Sequence, residues 1–416
     1  MFEKLFEKAS DVVYHTIAPY AVERQQFLEL CREQGFAKTG LKQMARILLT
    51  AAIDLHAHGG LDGDQARLEA VATRIEIVRA EAGVTRSAHD YRGEFLRVTT
   101  RWLLFVGHLH SAAPQPRPYA ALLDDFTKWM SEERGLSSGT LRNRRWHLGQ
   151  FLDWLHERAS CVTDLDLRDL DAYLQHLHAK GLSRVTIRIY TNAVRAFIRH
   201  AERRGWCTAG LADALHGPRI YREHGLPLGP SWDDVKRLIQ DAASSHDAAD
   251  VRDHAILLLL AVYGLRAGEV AALRLEDIDW EHDRLTVRRP KQRRSQVYPL
   301  VPSIGHAIVR YLREVRPRCA FREVFLKILA PLGPMTSQAL YSMVATRMGR
   351  LGIQAPRRGP HMLRHACAGH LLARGLSLKE IGDHLGHRSP DSTRIYAKVD
   401  LQGLREVAAF DLGGLA

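Results

Sequence analysis

The 416-residue sequence has few cysteines, no long apolar segment and no recognisable leader. Its five cysteines are scattered and none forms a CxxC pair, which argues against a disulfide framework or a zinc ribbon. The longest apolar run, residues 255–265, is shorter than the roughly 20 residues that a bilayer-spanning helix needs. Residues 1–15 are charged and amphipathic and lack the apolar core of a signal peptide. We therefore expect a cytoplasmic protein without a membrane partner.

Positive charge is in excess. The chain has 59 Lys and Arg against 47 Asp and Glu, a formal net charge of +12, and a pI near 9.6. This balance favours a polyanionic partner such as nucleic acid, although an arginine excess is also common in soluble proteins from GC-rich genomes. The length is sufficient for two or three domains with hydrophobic cores of their own.

Two breaks divide the chain. Residues 111–120 contain three prolines at alternate positions, which is typical of a semi-rigid linker. Residues 216–232 form a second break, and Ser231 at its end is predicted to be the N-cap of a helix over 232–243. The predicted domains are 1–115, 116–220 and 231–416.

The first two parts are predicted to be helical. Residues 34–41, 134–141 and 180–187 each place a Gly where a helix ends and a Ser or Thr where the next begins. Basic and aromatic side chains follow the second and third of these turns and suit contacts to a phosphate backbone, with a solvated charged face as the alternative. These candidate DNA contacts are Arg142, Arg144, Arg145, Arg188, Tyr190 and Arg195.

The third part combines helices with a β-hairpin. Apolar residues alternate over 283–300 on either side of a Pro-Lys-Gln turn, so we expect a small sheet within an α+β or mostly helical domain. The tip of the hairpin is basic. Three of its arginines are further candidate DNA contacts: Arg289, Arg293 and Arg294.

The segment "HMLRHACAGH", residues 361–370, carries histidines and an arginine among small and apolar residues. His361 and His365 have the spacing of a helical zinc site, but Met362 stands where a zincin needs its Glu, and Arg364 would repel a cation. An anion fits better. His361 and Arg364 are three residues apart on one helix face, and Pro360 favours the first helical turn, where N–H groups attract negative charge. We predict no metal site.

Five motifs in order resemble those of the tyrosine recombinases, also called phage-type integrases. They are GLRxxE at 264–269, a hairpin lysine at 291, HxLRH at 361–365, LGH at 385–387 and a tyrosine at 396. Residues 119–220 resemble the helical core-binding domain of that family more loosely. The resemblance implies a mostly α fold with a small sheet in a catalytic domain over 231–416. It also implies a C-shaped clamp on DNA, completed by the core-binding domain, and leaves an additional N-terminal helical domain without an assigned role.

The resemblance implies covalent chemistry on DNA. Tyr396 would be the nucleophile and form a 3′-phosphotyrosyl intermediate. Its phenol needs a proton acceptor, for which His361 is the candidate. Lys291 would protonate the departing 5′-oxygen, although Arg293 or Arg294 on the same hairpin tip are alternatives.

The remaining catalytic residues would stabilise the negative charge of the transition state. Arg266 and Arg364 offer planar cationic forks to the phosphate oxygens, and His387 would hydrogen-bond the phosphate. Glu269 would support the site by pairing with a cation. The histidines at 365, 370 and 384 are interpreted as structural. Because the energy of the broken bond is kept in the protein–DNA link, no cofactor, metal or ATP is expected.

The implied function is site-specific recombination of DNA by the integrase or transposase of a mobile element. The expected partners are double-stranded DNA with inverted-repeat core sites, three further copies in a tetramer that passes through a Holliday junction, and accessory proteins. Residues 401–416 are expected to dock onto a neighbouring subunit, and the protein to be nucleoid-associated in a bacterial-type cell. Three alternatives stay open: a Xer-like resolvase, a type IB topoisomerase-like relaxing enzyme, and a catalytically silent DNA-binding regulator.

Overall fold

The computed structural model is mostly helical, with one small antiparallel sheet. It describes residues 1–81, 88–109, 117–158, 160–220, 229–289 and 294–387 with positions 393, 395 and 396, leaving aside the side chains of 79, 80, 88–90 and 294. Lys291, Arg293 and the tail 401–416 lie outside the described residues, as does most of the proline-rich linker.

Residues 1–109 form a group of helices around their own core, which includes Phe27, Leu48 and Trp102. The helices are α1 (Phe2–Leu5), α2 (Ala9–Ile17), α3 (Ala21–Glu33), α4 (Lys38–Ala57), α5 (Gln65–Glu81) and α6 (Ala88–Val106). The buried Arg24 closes the end of α2 by donating from Nη2 to the carbonyls of His15 and Ala18 at 2.8 and 3.0 Å.

Residues 117–220 contain a second helical core. Its helices are α7 (Ala120–Glu132), α8 (Ser138–Glu157), α9 (Leu167–Ala179), α10 (Arg184–Arg204) and α11 (Leu211–Ala214). The two predicted turns here are confirmed, because Ser137 and Ser183 cap α8 and α10 and the preceding glycines have positive φ. The similar prediction for residues 34–41 is wrong in one respect: α4 begins after Ala37, and Thr39 lies inside it.

The remaining helices surround the sheet. They are α12 (Trp232–Ala243), α13 (Ala248–Val262), α14 (Ala267–Ala271), α15 (Pro302–Glu314), α16 (Ser337–Arg350), α17 (Pro360–Ala373) and α18 (Leu378–Leu385). Ser231 is the N-cap of α12, as predicted, and its Oγ accepts from the Asp234 N–H at 3.1 Å. The apolar run 255–265 falls mainly on α13, which lies at the centre of this core.

The predicted hairpin is confirmed as part of a three-stranded sheet in the order β1-β2-β3. The strands are β1 (Ile278–Asp279), β2 (Arg284–Arg289) and β3 (Arg294–Pro299). All neighbours are antiparallel, and the register pairs Leu285 with Tyr298 and Arg289 with Arg294. Leu285 and Val287 on one face join the core around α13.

The chain divides into two compact units, residues 110–222 and residues 1–109 with 223–416. Within the second unit, the Leu332 N–H donates to the Gln34 carbonyl at 3.2 Å. Residues 1–109 nevertheless have a hydrophobic core of their own, and the predicted domain boundaries stay a prediction. Among the helices that the structure describes, none is both long enough and apolar enough to cross a membrane.

Candidate active site

The turn between α13 and α14 brings the predicted GLRxxE segment against the end of α18. Gly264 in this turn has a φ of +59°, in the left-handed region that favours glycine. A Cβ atom at this position would lie 2.4 Å from Leu385 Cδ2. A side chain here would have to displace the side chain of Leu385 and would be strained by the left-handed φ, so glycine fits this turn.

Arg364 joins this turn to two other elements. It lies on α17, which begins at Pro360 as predicted, and its side chain is buried. Its Nη1 donates to the Gly264 carbonyl at 2.6 Å, and its Nη2 donates to the Leu385 carbonyl at 2.8 Å. Burial, together with the Arg266 charge, lowers the pKa of Arg364 to about 10, so that the group remains protonated at neutral pH. A fixed positive charge therefore lies where α14, α17 and α18 meet.

Arg266 is near Arg364 and more accessible, with 42% of its side chain exposed. Its Nη1 donates to Glu269 Oε1 at 2.7 Å, and its backbone N–H donates to Oε2 of the same carboxylate at 2.9 Å. Glu269 is buried and pairs with this cation, as the sequence predicted. The carboxylate fixes the direction of the Arg266 guanidinium, whose exposed part remains accessible to an anion.

Arg289 does not have the exposed position that was predicted for a DNA contact. It is buried, and it donates from Nη1 to the Leu385 carbonyl at 2.7 Å and from Nη2 to Tyr298 Oη at 2.6 Å. Its Nη1 also lies 3.5 Å from Glu269 Oε1. The alternating pattern predicted the strand correctly, but it could not show that the end of α18 covers this face. Arg289 is therefore a buried cation, and its contacts to the end of α18 and to Glu269 help to position the residues of the site.

His387 follows the left-handed end of α18 at Gly386. Its Nδ1 lies 2.7 Å from the hydroxyl of Thr393, which is itself buried. Burial and the charge of Arg364 lower the pKa of His387 to about 4, so the ring is neutral at neutral pH. Because Thr393 occupies Nδ1, the other ring nitrogen, Nε2, is the one available to a ligand.

Tyr396 is almost completely covered, with 2% of its surface exposed. It belongs to a small core with Cys367 and Leu385. Its Oη lies 2.9 Å from His365 Nδ1. Burial raises the pKa of the phenol to about 12 against the opposing effect of Arg364, so the hydroxyl is neutral at neutral pH.

His365 is the functional candidate that sequence reasoning missed. It was interpreted as structural, and His361 was preferred as the partner of the phenol. In the structure His361 is exposed near the start of α17 and makes no hydrogen bond to Tyr396 among the described contacts. The two imidazole rings are edge to face, 4.4 Å apart. A signal existed in the sequence, since an imidazole in an apolar segment is costly to bury without a partner.

The predicted DNA contacts in residues 117–220 occupy different environments. Arg142 and Arg188 are exposed and have no ion-pair partner among the described residues. Arg145 pairs with Asp124 at 2.6 Å. The remaining three are partly or fully covered: Arg144 against the Met130 sulfur, Tyr190 against Trp146 and His147, and Arg195 on the Leu215 carbonyl. Arg142 and Arg188 are therefore the best placed to meet a phosphate.

The assembled site is strongly positive. Three arginines surround one carboxylate, and the start of the 14-residue α17 adds the partial positive charge of its unpaired N–H groups. This arrangement can bind a phosphate group and stabilise additional negative charge on its oxygens. Lys291 and Arg293 lie outside the described residues, as does the side chain of Arg294. Within the described ranges, His, Cys, Asp and Glu side chains form no group of three or more that could hold a metal ion.

Known proteins resemble the chain in the same regions. A sequence model of the phage integrase family matches residues 231–402, and a model of the phage integrase N-terminal SAM-like domain matches residues 123–205. A Sinorhizobium fredii protein that carries the name integrase/recombinase y4rA is 37% identical over 68% of this chain and 69% of its own length. Tyrosine recombinase XerC of Methylobacterium nodulans is 32% identical over 68% of this chain and 88% of its own.

Solved structures share the fold. XerH site-specific recombinase bound to a palindromic difH substrate aligns with a TM-score of 0.54 and 19% identity, over 69% of this chain and 84% of that one. The Tn1549 transposon integrase in complex with a circular intermediate DNA aligns with a TM-score of 0.55 and 16% identity, over 69% and 98%. At these identities the likeness shows the fold alone. With the two family models and the relatives above 30% identity, it is sufficient to conclude that the chain belongs to the phage integrase family.

Proposed function

We propose that this protein is a site-specific DNA recombinase that breaks and rejoins strands through a covalent bond between Tyr396 and a DNA 3′-phosphate. One observation carries the proposal. The Tyr396 hydroxyl lies within a site that contains two arginines suited to a phosphodiester, Arg266 and Arg364, and it is hydrogen-bonded to a neutral imidazole. A nucleophile beside a base and fixed cations is the arrangement that phosphoryl transfer requires.

Each residue of the site has its own role in the proposed reaction. Arg266 and Arg364 hold the non-bridging oxygens, whose negative charge increases in the transition state. His387 donates a hydrogen bond to the phosphate from Nε2, since Thr393 occupies Nδ1. His361, in the first turn of α17, is a further donor to the same anion. Lys291 is proposed as the acid that protonates the 5′-oxygen, because it is the hairpin lysine in the ordered series of motifs.

The substrate and assembly follow from the relatives. We propose double-stranded DNA with inverted-repeat core sites as the substrate, and four copies that exchange strands through a Holliday junction with the help of accessory proteins. A role as the integrase or transposase of a mobile element is the first candidate, because two relatives carry the name integrase/recombinase. A resolvase role is the second candidate, because other relatives are named XerC and XerD.

A trapping experiment tests the proposal. Nicked duplexes tiled across the DNA that flanks the gene are incubated with the protein, and covalent adducts are separated on a denaturing gel. The unsubstituted protein should form an adduct at one inverted repeat, and Tyr396→Phe should form none. Tyr341→Phe, which changes an exposed tyrosine on α16, is the matched control and should react normally.

Each alternative outcome has a distinct meaning. Adducts at many unrelated sequences would indicate a relaxing enzyme of the topoisomerase kind. Binding without any adduct would indicate a regulator. An adduct that persists in Tyr396→Phe would contradict the assignment of the nucleophile.

A further inference from the structure

The hydrogen bond between Tyr396 and His365 is a contact that the ordered motifs do not predict. Its length of 2.9 Å is ordinary for a hydroxyl donor, and it joins Oη to Nδ1. The neutral phenol can donate this bond when Nδ1 carries a lone pair, which is the tautomer of His365 with the ring proton on Nε2. In that tautomer the contact directs a basic nitrogen of His365 at the phenolic oxygen.

The surroundings of His365 keep it unprotonated in the free protein. Burial, followed by the effects of His361 and Arg364 on the same helix, lowers its pKa to about 4. His387, from the end of α18, interacts electrostatically with it as well. Tyr396 is a further titratable neighbour among the described residues. A basic nitrogen with no proton of its own is thus held against the phenol at neutral pH.

A bound phosphodiester changes this balance. Its negative charge would partly cancel the arginine charges that depress the pKa of His365, and so would make the imidazole a better base. Formation of the phosphorus–oxygen bond would at the same time make the phenolic proton more acidic. Proton transfer that is unfavourable in the resting protein becomes favourable as the bond forms.

We propose that His365 is the group that accepts the phenolic proton of Tyr396 during strand cleavage, a role that rests on the proposed function. The proton moves from Oη to Nδ1 and leaves His365 as an imidazolium. Oη forms a bond to phosphorus while the bond from phosphorus to the 5′-oxygen breaks. The 5′-oxygen departs with the electron pair and takes a proton from the cationic acid of the hairpin. Rejoining runs the same steps in reverse, and His365 returns its proton to the phenolic oxygen.

The test uses a substitution that keeps the contact and removes the basicity. In His365→Asn the amide oxygen can occupy the place of Nδ1 and accept the hydrogen bond, but it cannot accept a proton. We expect single-turnover cleavage of the nicked duplex to slow by about 10²- to 10⁴-fold, the usual effect of a lost general base. His370→Asn is the matched control, because His370 lies on the same helix and stacks on Trp232 at 3.9 Å, away from the site.

Rescue distinguishes proton transfer from positioning. A fluorinated tyrosine at position 396 has a more acidic phenol and depends less on a base. In the His365→Asn protein the fluorinated tyrosine should reduce the loss of rate to less than about tenfold. The loss of rate in acid that we expect for the unsubstituted protein should be absent from this variant. If the fluorinated residue restores nothing while DNA binding is normal, His365 only positions the ring and the proposal is wrong.

Two further results separate the possible failures. Normal cleavage by His365→Asn, with none by Tyr396→Phe, would overturn the proton acceptor and leave the proposed function intact. No adduct from the unsubstituted protein would overturn the proposed function itself. Nitrogen NMR of the unsubstituted protein needs no variant: the proposal requires the His365 proton on Nε2, and a proton on Nδ1 would refute it.

Discussion

Buried arginines give the site its charge and at the same time hold it together. Arg364 bonds the carbonyls of Gly264 and Leu385 with separate nitrogens, and these two bonds do not exhaust its donors. A lysine could not make both contacts with one planar group, so an exchange to lysine would change the position of two elements even though it keeps the charge. The positive charge meant for a phosphate is therefore part of the packing of the domain.

Motif order predicted which residues would be near one another, but not every contact among them. Arg266, Arg364, His387 and Tyr396 were named from short local patterns, and the structure brings them together. The partner of Tyr396 was not predicted, because it depends on how α17 and the segment before Tyr396 pack in space. Residues 365 and 396 have no sequence relation that would reveal a hydrogen bond.

His15 provides a prediction about pH at the scale of one residue. Its ring is buried, stacks on Phe6 with centroids 4.3 Å apart, and has an Nδ1 without a hydrogen-bond partner among the described residues. Burial, and then the Arg24 charge, lower its pKa from 6.5 to about 4. Between these values the unfolded chain binds the extra proton, so the free energy of unfolding should fall as the pH falls through this window, by on the order of 3 kcal/mol.

Urea denaturation at pH 7 and pH 5 measures this effect. The His15→Leu protein should lose a large part of the acid sensitivity of residues 1–109. His58→Leu, a change at an exposed position of the same helices, should leave that sensitivity in place. Equal sensitivity in all three proteins would show that His15 is not the group that titrates.

Caps and turns were the elements that sequence patterns predicted best. Ser137, Ser183 and Ser231 each begin a helix where expected, because a side-chain oxygen next to an unpaired N–H group is a local interaction. Thr39 does not begin a helix, because α4 begins earlier, after Ala37. The hairpin was predicted from alternating apolar residues on either side of a turn, which is also a local pattern. The burial of Arg289 on it was not, because that depends on α18, which comes almost a hundred residues later.

The end of α18 offers a prediction at the scale of an element. Gly386 has a φ of +63°, and a Cβ there would lie 2.2 Å from the Arg289 guanidinium. Gly352, after α16, has nearly the same φ of +65° but no heavy atom within 4 Å of the same position. Gly352→Ala should therefore cost only the backbone strain, about 1–2 kcal/mol.

Gly386→Ala should cost more and should also slow strand cleavage. The added methyl group must displace Arg289, which bonds the same Leu385 carbonyl as Arg364. Denaturation and single-turnover cleavage of the two alanine proteins give the comparison. If both lose the same stability and both cleave normally, the close approach of Arg289 to this turn is not important for the site.

Net charge is a property of the whole molecule, and it predicts how DNA binding responds to salt. With a formal charge of +12, the protein should release counterions when it covers phosphates, so that affinity falls as salt rises. Replacing Arg142 and Arg188 together by Gln should reduce the slope of log affinity against log salt by about 2 if each contacts one phosphate.

The matched control changes two arginines at the far end of α10. Arg203 lies over the Trp129 ring, and Arg204 pairs with Asp125 at 2.9 Å. Replacing both by Gln removes the same charge and should leave the slope within error of the unsubstituted protein. An equal reduction in the two double variants would show that only total charge matters, and that Arg142 and Arg188 are not contacts.

For the molecule as a whole, the sequence predicted fold class and family but not the purpose of residues 1–109. The motifs over residues 264–396 could be recognised because the proposed chemistry needs particular residue types at their positions. The helices of residues 1–109 need only an apolar stripe each, a requirement that many sequences meet. The composition of residues 1–109 and the spacing of their apolar residues therefore do not indicate a role.

The burial of the Tyr396 phenol has a consequence for a protein that searches chromosomal DNA for its site. An enzyme that cuts DNA strands can damage the chromosome during its search, because it contacts many other sequences before it reaches its site. Because Tyr396 is covered in this structure, we expect a phosphodiester to reach its hydroxyl only after the segment that carries it becomes more accessible. The resting protein would then leave unrelated DNA uncut.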